Sequence, residues 1–527
     1  MWSDRVRIGL WIRSLVVLCL ISANTTLAQT PVVRFTVDEY KIEGENPLSN
    51  AQTSEALELY TGEIEGIEGV FAATESLQAA LRKNGFDFYQ VFVPPQTLTD
   101  GIVTIRVVPV KIGAVEVKGN KHFTADDVKN ALPSIAPGKT PDIKQFSREL
   151  ALANKHPSRF FAISLNPSSE TGKTDALIEV SDRKPWQLLL SLDNSGSGAT
   201  GKYRSSVSAR YDALWGLGHG IAASYSTSPE NPQDLKQYGL AYRAPIPAWT
   251  AEANLSFSSS DVDSGTIGDL FDVTGSGTVL GLDVTQYLGG SGGYKHQWHI
   301  GFQDKLFENN LSFLGQPLGS KVRSRPFVLG YAGQYTRSGT GFSFYIDYLR
   351  NVPGGSDSGA AEYAAARPGA SRHWDALKAG VSYTRAIAKD YELRLIADGQ
   401  LANEPLIPSE KFGLGGRASI RGFEERQFSG DSGLRATAEL WTPLFKSDRS
   451  LQGLAFADWG YRSDKNVAAG SVGSDSMLGV GVGIRWVPHP SASVSIDYAT
   501  SLERARTVVT ESSVSGSRLH ASLTVQF

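Results

Sequence analysis

Residues 478–486 read Leu478-Gly479-Val480-Gly481-Val482-Gly483-Ile484-Arg485-Trp486, so that every second residue is apolar and bulky. Because successive side chains of a β-strand point to opposite faces, this period of two predicts a strand with one apolar face and one face of glycine and arginine. Residues 492–498 and 519–527 show the same alternation. Apolar residues opposite small and charged ones are typical of a barrel strand with lipid outside and water inside.

The pattern continues through residues 185–527, for which we predict a mainly β fold, a 16-stranded antiparallel transmembrane β-barrel. An even number of strands, joined alternately by short turns and longer loops, is typical of such a barrel, and closure leaves no unpaired strand edge in lipid. The alternative is a soluble sandwich with one wet face, but the terminal Phe527 and an N-terminal secretion signal favour the barrel. The predicted strands start near Trp186, Arg204, His219, Gln237, Thr250, Thr278, His296, Val328, Gly341, Leu377, Tyr391, Gly433, Leu451, Met477, Ser491 and Leu519.

The N-terminal segment, residues 1–28, has the features of a cleaved signal peptide. Basic residues precede an apolar run at 15–21, and Thr26 and Ala28 provide small residues at the positions that a signal peptidase reads. The run is well short of the roughly 20 residues of a membrane-spanning helix, and no longer apolar run follows, so a helical membrane protein is excluded. Cys19, the only cysteine of the sequence, lies in this run, and we therefore expect a mature protein without disulfides or thiol chemistry.

Two similar modules, residues 29–110 and 111–184, lie between the signal and the barrel. Each has the order β-α-α-β-β, which predicts a repeated small α+β domain. In the first module we predict strands at 33–42, 88–93 and 102–108 and helices at 53–62 and 74–83. In the second module we predict strands at 112–117, 160–165 and 175–180 and helices at 124–132 and 142–154.

Composition and motifs give no sign of an enzyme or of a nucleic-acid partner. The net charge is −3, without the excess of basic residues that nucleic acid attracts. Residues 289–293 match a nucleophile-elbow pattern and residues 196–201 match a dinucleotide fingerprint, but both join predicted barrel strands and no helix follows either one. His296 and His299 face opposite sides of a strand and cannot share a metal. We therefore expect no catalytic residue, no cofactor and no metal site.

One group of charged residues stands out between the eleventh and twelfth predicted strands and on the strands that follow. Residues 412–423 form a glycine-rich loop that contains Arg421. Alternation turns Asp458, Arg435 and Glu439 toward the lumen. An arginine folded into the barrel would form two parallel charge-assisted hydrogen bonds with such a carboxylate. The alternative is an arginine exposed in a surface loop, which the spacing by itself favours.

The motifs around these residues resemble those of a known superfamily. Ile420-Arg421-Gly422-Phe423 resembles the conserved loop tip of the Omp85 superfamily, and Phe456-Ala457-Asp458-Trp459-Gly460 resembles its Phe-x-Asp-x-Gly strand motif. The two upstream modules resemble POTRA domains. The end of the second module resembles that of two-partner secretion transporters, the TpsB or ShlB/FhaC/HecB family, in Asn154-Lys155-His156-Pro157-Ser158-Arg159 and in Asp182-Arg183-Lys184-Pro185-Trp186.

The resemblance implies a transporter in the outer membrane of a Gram-negative bacterium, with its POTRA domains, residues 29–110 and 111–184, in the periplasm. POTRA domains of that family recruit the unfolded N-terminal region of a large secreted exoprotein, of adhesin or haemolysin type and β-helical, which then crosses the barrel lumen without ATP. The other partners implied are outer-membrane lipids and, during biogenesis, the barrel-assembly machinery; no nucleic acid is implied. The alternative is an insertase of the same superfamily that assembles other barrels, although typical insertases carry more POTRA domains.

The resemblance also implies a site, because the family pairs the arginine of the loop tip with the aspartate of the strand motif, here Arg421 with Asp458. The loop-tip residues are then Ile420, Arg421, Gly422 and Phe423, and the barrel-wall partners are Phe456, Asp458, Gly460 and Glu439. Many relatives carry an N-terminal helix that plugs the pore, whereas here POTRA-like sequence begins soon after the predicted cleavage site. We therefore expect no plug helix and a resting pore that relies on the loop.

Overall fold

The structure is a computed structural model that describes residues 34–527 except 99, 197–200, 262–264, 268–270, 274–275, 291, 310–311, 314–315, 318–319, 388–389, 446–449, 468–471 and 503–515. The predicted signal peptide with Cys19, and the region in which a plug helix would lie, are outside the described residues. The chain forms two compact units. The first comprises the residues up to Asn84 together with Tyr89–Val108, and the second comprises Gly85–Phe88 together with Pro109–Phe527.

The first unit is a small α+β module. Its elements are β1 (Arg34–Val37), β2 (Glu39–Gly44), α1 (Asn50–Leu57), a 3-10 turn (Glu58–Tyr60), β3 (Gly62–Glu65), α2 (Gly66–Lys83), β4 (Tyr89–Phe92) and β5 (Ile102–Pro109). Three strands form a sheet in the order β2-β5-β4, with β2 parallel to β5, and β1 pairs separately with β3. Leu77 and Leu81 of α2 and Val103 and Ile105 of β5 are among the buried apolar residues of this unit.

Three elements predicted for the first unit have wrong limits, and one of them is the helix 74–83, which begins at Gly66. The predicted strand 33–42 is two strands in different sheets, because the N–H of Asp38 bonds to the carbonyl of Gly101 (2.8 Å) where pairing of β1 with β3 stops. The predicted helix 53–62 begins earlier, where Ser49 and Gln52 form a capping box, and ends at Leu57. It cannot extend through Gly62, whose φ of 102° lies outside the helical region.

The second unit begins with a module that repeats this architecture. Its elements are β6 (Lys111–Lys118), α3 (Ala125–Asn130), α4 (Ile143–Ala153), β7 (Arg159–Pro167) and β8 (Lys173–Asp182), as the sequence predicts. The sheet order β6-β8-β7, with β6 parallel to β8, matches that of the first module. Thr124 and Asp127 form a capping box on α3, and Asp142 caps α4. The limits of the signal peptide and of the domains, at residues 28, 110 and 184, stay predictions.

The rest of the second unit is a closed antiparallel barrel. Its elements, with three short strand pairs and one helix between them, are β9 (Trp186–Asp193), β10 (Arg204–Leu214), β11 (His219–Thr227), β12 (Lys236–Ile246), β13 (Ala251–Ser260), β14 (Gly265–Ile267), β15 (Phe271–Val273), β16 (Gly277–Tyr287), β17 (Tyr294–Asn309), β18 (Ser312–Phe313), β19 (Gln316–Pro317), β20 (Ser320–Ser324), β21 (Pro326–Arg337), β22 (Thr340–Asn351), α5 (Ala360–Ala366), β23 (Asp375–Ala386), β24 (Glu392–Ala402), β25 (Phe412–Leu414), β26 (Phe428–Gly430), β27 (Ser432–Trp441), β28 (Leu451–Ser463), β29 (Ser474–His489), β30 (Ala492–Ser501) and β31 (Ser517–Gln526). Taking β20 and β21 as one strand interrupted at Arg325, the described residues form a barrel of 16 strands, which confirms the predicted architecture.

The barrel wall has the two faces that the alternation predicts. On β29, Val482 and Ile484 are 59% and 45% exposed on the outside. Asp497 of β30 and His520 of β31 point inward and are buried, while the neighbouring Tyr498 and Leu519 point outward. Among the described helices, none combines the length and the hydropathy that crossing a membrane requires. The outer surface of the barrel is therefore an apolar belt, and its polar groups face the lumen.

Candidate functional site: a loop clamped inside the barrel

The connection between β24 and β27, residues 403–431, folds back into the barrel, and we call it the lumen loop. Its arms β25 and β26 pair as an antiparallel hairpin. Gly415 and Gly416, with φ of 106° and 99°, reverse the chain toward the tip, in a backbone region that glycine adopts without strain. This geometry carries the tip, residues 420–423, to the inner faces of β28, β29 and β30.

Arg421 and Asp458 are joined by three hydrogen bonds. Arg421 donates its backbone N–H (3.1 Å) and its Nε (2.7 Å) to Oδ2 of Asp458, and its Nη2 (2.9 Å) to Oδ1. Both residues are buried, with 5% and 0% of their surfaces exposed. The fork of the guanidinium matches the carboxylate, and such charge-assisted bonds are about twice as strong as neutral ones. Arg421 is therefore a buried anchor and not an exposed loop residue.

Further groups surround the same guanidinium. Nη2 also lies 2.9 Å from Oε1 of Glu439, and Nη1 lies 4.0 Å from Oδ2 of Asp497. The guanidinium carbon is 3.4 Å from the ring centre of Phe456, an arrangement in which the ring face attracts the cation. Three carboxylates thus surround one arginine. Arg485 supplies a second positive charge and donates two hydrogen bonds to Asp497 (2.7 and 2.9 Å).

The apolar residues of the tip fill a pocket in the wall. Ile420 and Phe423 are almost completely buried and pack with Leu414, Phe428 and Met477. A Cβ on Gly460 would come within 3.1 Å of Ile420, so the glycine of the strand motif makes room for the tip. The structure therefore brings together all eight residues that the resemblance implies, Ile420, Arg421, Gly422, Phe423, Phe456, Asp458, Gly460 and Glu439.

Several residues that the sequence did not single out contribute to this site. His520 accepts a hydrogen bond at Nε2 from the backbone N–H of Gly422 (3.3 Å). A Cβ on Gly479 would lie 2.0 Å from the carbonyl oxygen of Arg421, so that only glycine fits there. Alternation already placed Asp497 and His520 on the wet face, but no motif distinguished them from other lumen residues. Gly479 is one of three alternating glycines in β29, and no sequence feature distinguishes it from the other two.

The lumen loop also contacts the last strand, next to the seam at which β31 meets β9. Arg417 donates to Ser522 (2.9 Å), and Arg518 of β31 donates to Glu424 (2.7 Å). Strand pairing across the seam runs from Ser522 to Gln526. Beyond it, the side chain of Asn194 takes the place of a strand backbone, because Oδ1 accepts from Ala521 N (2.8 Å) and Nδ2 donates to the carbonyl of Leu519 (2.7 Å).

A third group of polar residues joins the second module to the barrel. His156 donates from Nε2 to the carbonyl of Asp212 (2.7 Å) and accepts at Nδ1 from the N–H of Ser158 (3.2 Å). Ser158 Oγ donates to the Asp212 carboxylate (3.0 Å). Burial is the main reason that the pKa of His156 falls to about 3. Both ring nitrogens are used by the neutral form, and the junction is therefore built around an uncharged histidine.

The buried anchor lies beside the open lumen of the barrel. A cavity beside the loop tip is lined by Asp398, Arg417, Arg435, Glu439 and Asp497, so charges of both signs border the open lumen. Arg435, predicted to face the lumen, bonds there to Asp398 (2.7 Å) and to the carbonyl of Ala418 (3.0 Å). In the part of the chain that the structure describes, no three His, Cys, Asp or Glu side chains are grouped as metal ligands would be. The arrangement can hold a loop in place and release it.

Comparison with known proteins identifies relatives over most of the chain. Residues 172–486 match the family model of the haemolysin secretion/activation protein ShlB/FhaC/HecB, and residues 35–109 match the ShlB-type POTRA domain. The chain is 19% identical to the heme/hemopexin transporter protein HuxB of Haemophilus influenzae, over 85% of this chain and 80% of the relative. It is 22% identical to the outer membrane transporter CdiB of Escherichia coli, over 80% and 71%. The solved structure of CdiB from Escherichia coli superimposes with a TM-score of 0.73 and 19% identity, covering 95% of this chain and 92% of that one.

Proposed function

Because the chain belongs to the haemolysin secretion/activation family ShlB/FhaC/HecB, we propose that it is an outer-membrane transporter of a Gram-negative bacterium that exports a partner protein, in two-partner secretion. The observation that carries this proposal is a closed barrel whose polar lumen holds a loop by one buried anchor, Arg421 on Asp458. Relatives named as transporters, among them CdiB and ShlB, support it.

The route of the exported chain is the lumen. A barrel of 16 strands is wide enough to leave an aqueous channel when no plug fills it. The exoprotein crosses in extended form, since a folded domain would not fit beside the lumen loop. Lumen-facing serine, asparagine and charged side chains, such as Ser256, Asn254 and Lys378, offer water-like contacts to a passing backbone. The outward apolar belt faces membrane lipid.

The first unit captures the substrate on the periplasmic side. Strand β4 lies at the edge of its three-stranded sheet, and an unfolded segment adds to such an edge by backbone hydrogen bonds. Phe92 on β4 and Phe71 on α2 are 43% and 50% exposed, and both offer apolar contacts to the incoming chain. We infer that the ligand is the unfolded N-terminal region of a large secreted exoprotein, of the adhesin or haemolysin type.

Export in this proposal uses no nucleotide and no catalytic residue of this chain. Folding of a β-helical passenger outside the cell supplies direction, because the folded product cannot return through the barrel. The lumen loop must give way during passage, and Arg421 determines when it does so. A charged anchor suits this role, because both charged groups regain hydration when the loop moves into the aqueous lumen.

The test measures export of the exoprotein that the adjacent gene encodes. It compares cells with the intact transporter gene, cells in which this gene is deleted and cells that carry Arg421→Ala. We expect secretion with the intact gene and its loss in both other strains, with the Arg421→Ala barrel still assembled in the outer membrane. Arg350→Ala serves as the matched control, because this arginine is 66% exposed in its side chain and forms a long surface pair with Asp375 (3.7 Å). Normal export by the deletion strain would overturn the proposal, and depletion of other barrel proteins would favour the insertase instead.

A further inference from the structure

A second buried ion pair, between Arg367 and Asp431, closes the stem of the lumen loop. Asp431, with 0% of its surface exposed, accepts hydrogen bonds from four donors. Arg367 reaches both of its oxygens, with Nη2 at 3.0 Å from Oδ2. The backbone N–H groups of Leu406 and Lys465 donate to it at 2.8 and 2.7 Å. One carboxylate therefore holds the first and last parts of the loop and two neighbouring connections.

Arg367 completes the same junction from the other side. Its guanidinium also donates to the carbonyls of Leu406 (2.8 Å) and Lys465 (3.0 Å). Its backbone N–H ends helix α5 by bonding to the carbonyl of Tyr363 (3.0 Å). Tyr363 is fully buried beside Trp374, in a hydrophobic cluster that also contains Leu406 and Ile407 of the lumen loop, and this cluster fixes the helix that presents Arg367. Arg367 is thus held as firmly as the aspartate it binds.

Other ion pairs reinforce the stem at this end of the barrel. Lys411 of the loop and Arg462 of β28 donate to opposite oxygens of Asp464, at 2.8 and 2.7 Å. Lys305 of β17 binds Glu410 of the loop at 3.0 Å, and both side chains are largely buried. The stem is therefore held to the barrel wall and to the connection that contains α5, independently of the contacts at the tip.

We propose that Arg367 is a positioning residue for the lumen loop, holding its stem at Asp431 so that Arg421 at the tip is presented to Asp458. The inference deepens the proposed function and rests on it, because it names a second element, the connection 352–374, that controls the same loop. Removing Arg367 leaves a buried carboxylate without its counter-charge, which is strongly destabilising for the docked arrangement. The stem then opens toward water, and the tip loses the geometry that its three hydrogen bonds need.

Docking of the tip can be measured in purified, membrane-reconstituted protein without any exoprotein. Met477 of β29 is 1% exposed because the tip covers it, so Met477→Cys reports undocking by its reaction with a maleimide. The other cysteine, Cys19, lies in the predicted signal peptide. In this background Arg421→Ala is the positive control, and Arg350→Ala, an arginine of the same barrel end in an exposed pair, is the matched negative control.

We expect Arg367→Ala to raise the labelling rate by about tenfold or more, toward that of Arg421→Ala, because the unpaired Asp431 destabilises the docked loop. The labelling rate of Arg367→Lys should lie between those of Arg350→Ala and Arg367→Ala, since lysine keeps the charge but not the bidentate fork. If Arg367→Ala does not fold, as judged by the migration of the unheated barrel in a detergent gel, Arg367→Lys is compared with Arg350→Ala by the same criterion. Labelling of Arg367 variants no faster than that of Arg350→Ala would overturn the inference. Export is scored separately, so failure of the proposed function would appear as normal secretion by the deletion strain, whatever the labelling rates of the Arg367 variants.

Discussion

Asp458 accepts hydrogen bonds from three nitrogen atoms of a single residue, Arg421, at distances of 2.7 to 3.1 Å. The strand contributes a fixed carboxylate and the loop contributes both the backbone and the side chain that bind it. Both partners are buried, with 5% of Arg421 and 0% of Asp458 exposed. Loss of either one leaves a buried charge, and for this reason the two residues act as a unit that is either engaged or released.

Asp458→Asn tests the charge of this anchor at nearly constant volume. The amide keeps one acceptor oxygen but points a donor at the guanidinium, and we expect the docked loop to lose about 1.5–3 kcal/mol, the range for a hydrogen bond to a charged group. The measurement is the ion conductance of the purified barrel in a planar bilayer, which should rise or fluctuate as the loop moves. Glu308→Gln, which removes a carboxylate from an exposed ion pair with Lys321, is the control. Conductance equal to that of the unchanged protein would show that the charge at residue 458 does not hold the loop.

Gly479→Ala tests the fit of the tip without altering any charge. The added Cβ would lie 2.0 Å from the carbonyl oxygen of Arg421, so the tip must move away from β29. Overpacking of this kind costs about 1–3 kcal/mol, and we expect reduced secretion together with increased reactivity of Met477→Cys. Gly341→Ala on β22 is the control, since its Cβ would meet only Thr384, at 3.9 Å. Equal secretion by the two variants would argue against close contact between tip and wall.

Asn194→Ala tests the seam between the first and last strands. The substitution removes two hydrogen bonds that prolong the pairing of β9 with β31, each worth about 0.5–1.5 kcal/mol. We expect the barrel to unfold at a lower temperature in detergent. The unfolding temperature is measured from the shift in gel mobility of the barrel on heating. Asn254→Ala, which changes a lumen asparagine whose Nδ2 lies 3.5 Å from Glu252, should leave the transition unchanged. The same transition temperature for both variants would mean that the Asn194 side chain does not contribute to closure.

The junction between the second module and the barrel should weaken in acid. His156 has a pKa of about 3 in the folded protein, below the ordinary value of 6.5 that applies when it is exposed. The unfolded or undocked form therefore binds a proton first, so the stabilisation is complete above pH 6.5 and declines as the pH falls toward 3, by up to about 1.4 kcal/mol per pH unit. Thermal unfolding from pH 7 to pH 4 measures this slope. His156→Gln should flatten the slope, and an unchanged slope in this variant would assign the acid sensitivity to other groups.

The sequence predicted the barrel well, for a physical reason that is clearest in β28 and β29. Their side chains alternate strictly because one face meets an apolar surface and the other meets water, and this alternation already turned Asp458 inward. The module elements were predicted from capping residues such as Thr124 and from apolar periodicity. Two of the errors in the first unit, at residues 33–42 and 53–62, lie where a backbone bond to Gly101 and a left-handed Gly62 end an element.

The contacts of the lumen loop could be predicted only in part. Spacing by itself favoured an exposed Arg421, and the resemblance to a family supplied its pairing with Asp458. The Arg367–Asp431 pair joins two irregular connections 64 residues apart, and irregular connections have no period that reveals which side chains meet. Asn194 contacts residues more than 300 positions away, because a closed barrel brings its first and last strands together. Contacts of this kind become visible only when the fold is known.

We propose that this barrel, with a releasable loop anchored by Arg421, conducts an unfolded polypeptide. The most direct measurement uses the full mature chain in lipid vesicles, with the unfolded N-terminal region of the neighbouring exoprotein added outside and no nucleotide present. We predict that a protease-protected fraction of that polypeptide accumulates inside vesicles that carry the unchanged protein, and that vesicles with Arg421→Ala accumulate much less. If both proteins insert as folded barrels and neither kind of vesicle contains protected polypeptide, the barrel does not conduct it.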